Sequence, residues 1–285
     1  MAPPPSSSMP LQQRVIALAS TLQFAWFLGH LTLLFCTFRY GMSYITFNFN
    51  SRWAKFSYRT AFIAAAVTYG IVVSKAYRAK LRQHKQAGAL QMAQDENVQY
   101  LVMALIWLFS RQIPLAILPF AVYSVFHVLT YTRANLLPTI FPPPQQAAQP
   151  ASPNQKTAKQ SSALADGIGK FVKDYYDSSM TLVAVLEIVL WFRLLGSSIM
   201  FQKGSWILIM CYTVFLRARY AQSSFVQGAF AQIGARIDAQ AAQQGTPAAV
   251  RNGWEAFKGI ARQGVEATDL SKYVGGAQGG PKKAQ

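Results

Sequence analysis

Twenty-four consecutive residues, Val15 to Phe38, carry no formal charge, and about 20 apolar residues in a helix suffice to cross the roughly 30 Å hydrocarbon layer of a bilayer. The stretch reads as a transmembrane helix. It is too long for the h-region of a cleavable signal peptide, and no small-residue cleavage site follows Phe38, so it is expected to remain in the mature protein. The rest of the chain agrees: of 285 residues 52% are apolar and only 13% charged, against about 25% charged in a soluble domain. A mean hydropathy of +0.18 excludes a fully disordered chain, and two cysteines exclude a disulfide-stapled scaffold.

A second span is predicted over 56–77, where an uncharged centre from Thr60 to Ser74 is flanked by Arg59 and Lys75, side chains long enough to snorkel to the headgroups. From Asn97 to Thr132 the only formal charge is Arg111, and an unbroken helix of that length would reach about 54 Å, far beyond one bilayer. The break is written at Ser110-Arg111-Gln112-Ile113-Pro114, since proline removes a helical donor and pushes its predecessor out of the α region. This predicts antiparallel helices over 97–110 and 115–132. Met180 to Leu216 repeats the plan, with a turn at Gln202-Lys203-Gly204-Ser205 and a return arm of 11 residues, Trp206 to Leu216. Either pair reads equally as two full spans or as a shallow hairpin.

If both broken segments are hairpins, the basic stretches 75–85, 133–173 and 217–283 share one face, which the positive-inside rule places in the cytosol together with both termini. The opposite side keeps four basic residues within 39–59, amid aromatic residues that resemble an interfacial belt.

Residues 1–14, Pro/Ser-rich at their start, and the Pro/Gln/Ala-rich stretch 142–162 are expected to be disordered, because neither buries enough surface to offset chain entropy. The segment 163–220 reads as an amphipathic helix, carrying Leu164, Ile168, Phe171, Val172 and Tyr175, that leads into the final membrane hairpin. The remainder, 221–285, reads as a cytosolic amphipathic tail. In it Val226, Phe230, Ile233 and Ile237 step by four, three and four. Thr246 and Pro247 then suggest a cap and first-turn proline for a second helix with Val250, Trp254, Phe257, Ala261 and Val265 in one stripe. Two readings stay open: a small helical subdomain that buries these stripes against each other, or interfacial helices with Trp254 and Phe257 in the acyl boundary and Lys/Arg on anionic headgroups. Lys282 and Lys283, third and fourth from the carboxyl end, match a dilysine endoplasmic-reticulum retrieval signal.

No G-x-S-x-G, H-E-x-x-H or paired C-x-x-C occurs, and Gly167-Ile168-Gly169-Lys170 fails as a phosphate loop, so no enzyme chemistry and no cofactor are expected. Cys36 and Cys211 lie in apolar segments, and His30, His84 and His127 are far apart in sequence, which argues against a metal. Glu187 and Arg193 are expensive in lipid and must face protein or water. Six residues apart on a helix they do not share a face, so their partners come from elsewhere, with Arg111 and His127 as candidates. The structural reading is a polar clasp between hairpins; the alternative is a small transporter or channel. Nucleic-acid binding is not expected, because the net charge of +17 is scattered along loops without a basic groove or stacking motif.

The strings Asn97-Val98-Gln99-Tyr100, Ile113-Pro114, Pro119-Phe120 and Ser124-Val125-Phe126-His127-Val128-Leu129-Thr130-Tyr131-Thr132 resemble the transmembrane protein 33 family, as do Leu186-Glu187-Ile188 and Phe215-Leu216-Arg217-Ala218-Arg219-Tyr220. The resemblance covers roughly residues 15–240. It implies a non-enzymatic multipass protein of the endoplasmic reticulum and nuclear envelope that organises tubules with reticulon-type partners and supports nuclear pore assembly or distribution. It further implies a C-terminal amphipathic region that binds curved membrane and a nuclear import receptor, alongside nucleoporins. The Pro/Gln-rich linker and the Gly/Ala-rich extreme tail depart from the vertebrate pattern.

Overall fold

The computed structural model describes residues 9–83, 92–142 and 155–267, apart from the side chains of 155–162. Among them the secondary structure is helical throughout, and the chain is an all-α multipass membrane protein. It divides into two compact units, one ending at Val226 and one beginning at Gln227.

The uncharged run 15–38 does not form one helix. It is divided between α1 (Leu11–Ala19) and α2 (Leu22–Ile45), which are bent by 78°. Two hydroxyls make the bend. Ser20 Oγ and Thr21 Oγ1 donate back to the carbonyls of Ala17 and Leu18 at 2.9 and 2.7 Å, and Thr21 Oγ1 accepts from Phe24 N–H at 3.1 Å, capping the new helix. Helix α3 (Arg52–Arg82), capped by Ser51, extends beyond 56–77 at both ends, so Arg59 lies inside it, where it donates to the Trp107 carbonyl at 3.2 Å.

Asp95 caps α4 (Glu96–Phe109), and Pro114 opens α5 (Pro114–Tyr131) at a position where a missing N–H costs nothing. At the break between them, Ile113 N–H donates to the Tyr58 hydroxyl at 3.2 Å. A π-helical turn (Thr132–Leu136) and a short α6 (Leu137–Ile140) follow. Helix α7 (Gln155–Ile199) begins inside the stretch 142–162 expected to be a disordered linker, and it joins the amphipathic segment and the first hairpin arm into one helix. Residues 143–154 of that stretch lie outside the described residues. The return arm α8 (Ser205–Gln222) is longer than its apolar centre, and the tail holds α9 (Ser224–Ala241) and α10 (Ala248–Ala267).

The core of the first unit is aromatic: Tyr58, Phe62, Tyr69, Tyr100, Trp107, Phe120, Tyr212 and Phe215 are buried among small alanines of α3. Large apolar side chains are also turned outward on most helices, including Phe35, Phe38, Ile63, Val67, Phe109, Ile207, Met210 and Val214. In water such patches would be adhesive; in lipid they are the solvent-matched surface.

Among the described residues three helical stretches are long and apolar enough to cross a bilayer, Arg52–Arg82, Pro114–Ile140 and Ala163–Ile199, and α1 with α2 adds a fourth only when the bent pair is counted as one span. The turns α2–α3, α4–α5 and α7–α8 lie at the same end of the bundle. The Arg39 guanidinium stacks over Trp53 at 4.7 Å, Tyr58 holds Ile113, and Arg111 Nη1 donates to Gln202 Oε1 across two of the breaks. Phe47 and Phe201 end α2 and α7 in left-handed conformations (φ 55° and 52°) where glycine is the usual choice. Both are among the most exposed side chains, at 88% and 81%, so an outward-standing ring at each turn is reached at the cost of a backbone that phenylalanine resists.

This arrangement makes a topological prediction. Single cysteines replacing Asn48 and Lys203 in sealed microsomes react from the same side, and one replacing Lys80 from the opposite side. Labelling of Asn48→Cys and Lys203→Cys from different sides would contradict the shared end.

Candidate functional site

Arg219 sits near the last turn of α8 on a face shared with Tyr212, Phe215 and Leu216, all buried. Its Nε donates to Glu187 Oε2 on α7 at 3.4 Å, its Nη1 pairs with Glu96 Oε1 on α4 at 2.8 Å, and its Nη2 donates to the Tyr123 hydroxyl on α5 at 3.2 Å. Tyr100 on α4 donates to Glu187 Oε1, and its ring lies 5.3 Å beneath the guanidinium. Tyr212 donates to the Glu187 backbone carbonyl at 3.2 Å. The side chains of Glu187 and Arg219 are 1% and 4% exposed, so this is an ion pair removed from water and surrounded by polar partners from four helices, with Arg219 Nη1 close to Glu96 but not in hydrogen-bond geometry.

Neither Arg111 nor His127 partners Glu187. Arg111 is at the turn end, whereas Glu187 lies roughly 20 Å along α7 from that end, by helical rise. Arg111 bonds Gln202, and Arg193 Nη1 donates one turn along its own helix to Ser197 Oγ. His127 packs edge-on against Trp26 at 4.9 Å and lies 4.7 Å from His30, whose Nδ1 is 2.9 Å from Ser124 Oγ. The two histidines, distant in sequence, therefore meet. No group of three His, Cys, Asp or Glu side chains converges among the described residues.

Sequence reasoning missed Arg219 and Tyr100. Arg219 was one of several basic residues flanking an apolar run; the signal that separates it from Arg217 is its i, i+3, i+7 register with Tyr212 and Phe215, which turns it inward. A cavity of about 10 Å³ beside Glu187, lined also by Tyr100, Trp107 and Tyr212, has room for about one water.

In the second unit, Asp238 on α9 accepts from Trp254 Nε1 at 2.7 Å and from Lys258 Nζ at 2.8 Å on α10. Those two donors hold the Asp238 carboxyl below its ordinary range, and Asp238 and Glu255 raise Lys258. Trp254 stacks on Phe257 with ring centroids 5.6 Å apart. Thr246 does not cap α10 through its side chain; its hydroxyl donates to the Gln240 carbonyl at 2.8 Å, and the helix starts at Ala248. Phe230 and Ile233 are half-buried, but no α10 residue is buried, and Val250, Phe257 and Ile260 face outward. Val226, in the first unit, is fully buried and its N–H reaches Ser223 Oγ at 3.4 Å, which makes it a core residue instead of an interfacial one. His84, Lys282 and Lys283 lie outside the described residues.

The model of a family described as Transmembrane protein 33/Nucleoporin POM33 matches residues 3–264. Nucleoporin POM33 of Chaetomium thermophilum is 55% identical over 99% of this chain and 99% of its own length. Tetra-spanning protein 1 of Schizosaccharomyces pombe is 32% identical over 95% of this chain and 92% of its own, and the Pore membrane protein of 33 kDa of Saccharomyces cerevisiae 30% identical over 89% and 87%. No solved structure matches.

Proposed function

Because the chain belongs to the Transmembrane protein 33/Nucleoporin POM33 family, we propose that it is a non-enzymatic protein of the endoplasmic-reticulum and nuclear-envelope membrane that stabilises curved bilayer and so supports the assembly or distribution of nuclear pores. The names of its relatives, a nucleoporin and a pore membrane protein, support the location. Reticulon-type proteins, nucleoporins and an import receptor are the partners this reading carries.

The observation that carries the mechanism is the apolar stripe of α10, left uncovered at Val250, Phe257 and Ile260 while Arg251, Lys258 and Arg262 line the other side. Such a helix lies in the headgroup region with its stripe in the acyl boundary and its cations on anionic phosphates. Inserted in the cytosolic leaflet alone, it enlarges that leaflet and favours the convex curvature of tubules and pore rims. Glu187 serves as structure in this reading. Its partners are Arg219 and Tyr100, and the single-water cavity beside it favours a clasp over a transport path.

The test is binding of a 245–275 peptide to small anionic vesicles. Replacing Trp254 and Phe257 by Asp removes two aromatic anchors, each worth about 2 kcal/mol on burial, so affinity falls by more than about a hundredfold. Equal binding of the two peptides removes the wedge.

A further inference from the structure

Helix α1 is inside out for a water-facing helix. Its hydrophobic residues Leu11, Val15 and Ile16 are exposed, while its one cation, Arg14, is buried to 7% exposure on the same face as Leu18. Helix α1 is bent 78° from α2, so with α2 across the bilayer α1 would run near the membrane plane, where outward apolar residues meet lipid. The inward face packs on α6, with Leu18 clustered against Tyr131 and near Leu136 of the π turn.

Arg14 has no counter-charge there. Its Nε and Nη1 are enclosed and bond to nothing among the described residues. No Asp or Glu occurs in α1, α5, the π turn or α6. The π turn, whose Leu136 packs near Leu18, buries Asn135 to 5% exposure, and the Asn135 side-chain amide nitrogen Nδ2 also lacks an acceptor, while the backbone carbonyl of Asn135 accepts from Thr139 Oγ1 at 2.7 Å. A π turn inserted between α-helices is a frequent mark of a binding site. A buried guanidinium without an anion is too costly to stand alone, so its partner lies beyond the described residues.

We propose that the junction of α1, the π turn and α6 binds one phosphate-ester anion, the phosphodiester of a membrane phospholipid, with Arg14 as the charge and Asn135 as an additional donor. The lipid headgroup is favoured as the source over free phosphate because α1 presents Leu11, Val15 and Ile16 to the acyl chains beside the same site. The site would fasten the first helix to the leaflet it lies on.

The experiment uses the full-length protein purified in detergent and stripped of lipid. Native mass spectrometry and thermal unfolding are then read with phosphatidylinositol, phosphatidylcholine or inorganic phosphate added. The wild type retains one phospholipid per chain and unfolds at higher temperature when phospholipid is added. Arg14→Met binds it about tenfold more weakly or worse, the scale of a lost charge-assisted hydrogen bond. In the stripped state Arg14→Met unfolds at the same or a higher temperature than the wild type, because it no longer buries an uncompensated charge; a purely structural arginine would give the reverse. Arg14→Lys retains lipid dependence. The proposal is overturned if Arg14→Met keeps the wild-type lipid response, or if it unfolds at a lower temperature than the wild type by the same amount with and without lipid. Stabilisation by inorganic phosphate equal to that by phospholipid would overturn the lipid as source.

Discussion

Arg219→Met lowers the unfolding free energy of the full-length chain by about 3–5 kcal/mol, the usual cost of leaving one half of a buried ion pair behind. The loss is large because Glu187 is fully enclosed: with the guanidinium gone, its carboxylate keeps the Tyr100 hydroxyl, and Tyr123 loses its donor. Glu187→Gln costs less, about 1–3 kcal/mol, because Arg219 still holds Glu96, which is half open to solvent. The double replacement Glu187→Met/Arg219→Met recovers part of the Arg219→Met loss, since it leaves no isolated charge in the core. Unfolding of the four chains in mixed micelles measures all three differences. An Arg219→Met chain within about 1 kcal/mol of the wild type would mean that the pair does not join the hairpins α4–α5 and α7–α8.

The second large effect is expected at the seam between α2 and α3. A Cβ at Gly29 would lie 2.4 Å from Thr68 Cγ2, closer than two carbons approach, so these helices meet only because residue 29 has no side chain. Alanines 61, 64 and 65 continue the close approach along α3, and without a hydrophobic force between helices in lipid this packing is what holds the pair. Gly29→Leu is therefore expected to cost about 3 kcal/mol, at the top of the usual range for overpacking. Gly29→Ala costs less, since alanine regains about 1 kcal/mol of helix propensity. Combining it with Thr68→Ser removes the clashing methyl while keeping the hydroxyl that donates to the Ala65 carbonyl at 2.9 Å, so the double variant unfolds later than Gly29→Ala alone. If Gly29→Leu leaves the unfolding midpoint unchanged, the seam is not close-packed.

The features open to sequence reasoning were those in which neighbours along the chain act together. A run of uncharged residues is oil-soluble wherever its helix ends up, so the membrane class needed only local composition. The break at Ser110 to Pro114 depended on a proline acting on its own predecessor, and the outward stripe of α10 on a helical repeat. The bend at Ser20-Thr21 was harder to see, because two hydroxyls in an otherwise apolar run change direction without changing hydropathy.

Partner choice followed a different logic. Glu187 was legible as a buried charge that required a counter-ion, yet Arg111 and His127 were the natural candidates only while helix rotation and depth were unknown. Arg111 belongs to the turn end and His127 to an aromatic cluster with Trp26 and His30; Arg219, which looked like one more flanking cation, turns inward. The oil-facing character of this protein was thus written into successive residues, because transfer from water adds up segment by segment. The pairing of Arg219 with Glu187, and the isolation of Arg14, came from the closing of helices far apart in the chain. Which charge meets which depends on the rotation and depth of each helix against the others, and only the packed bundle sets those.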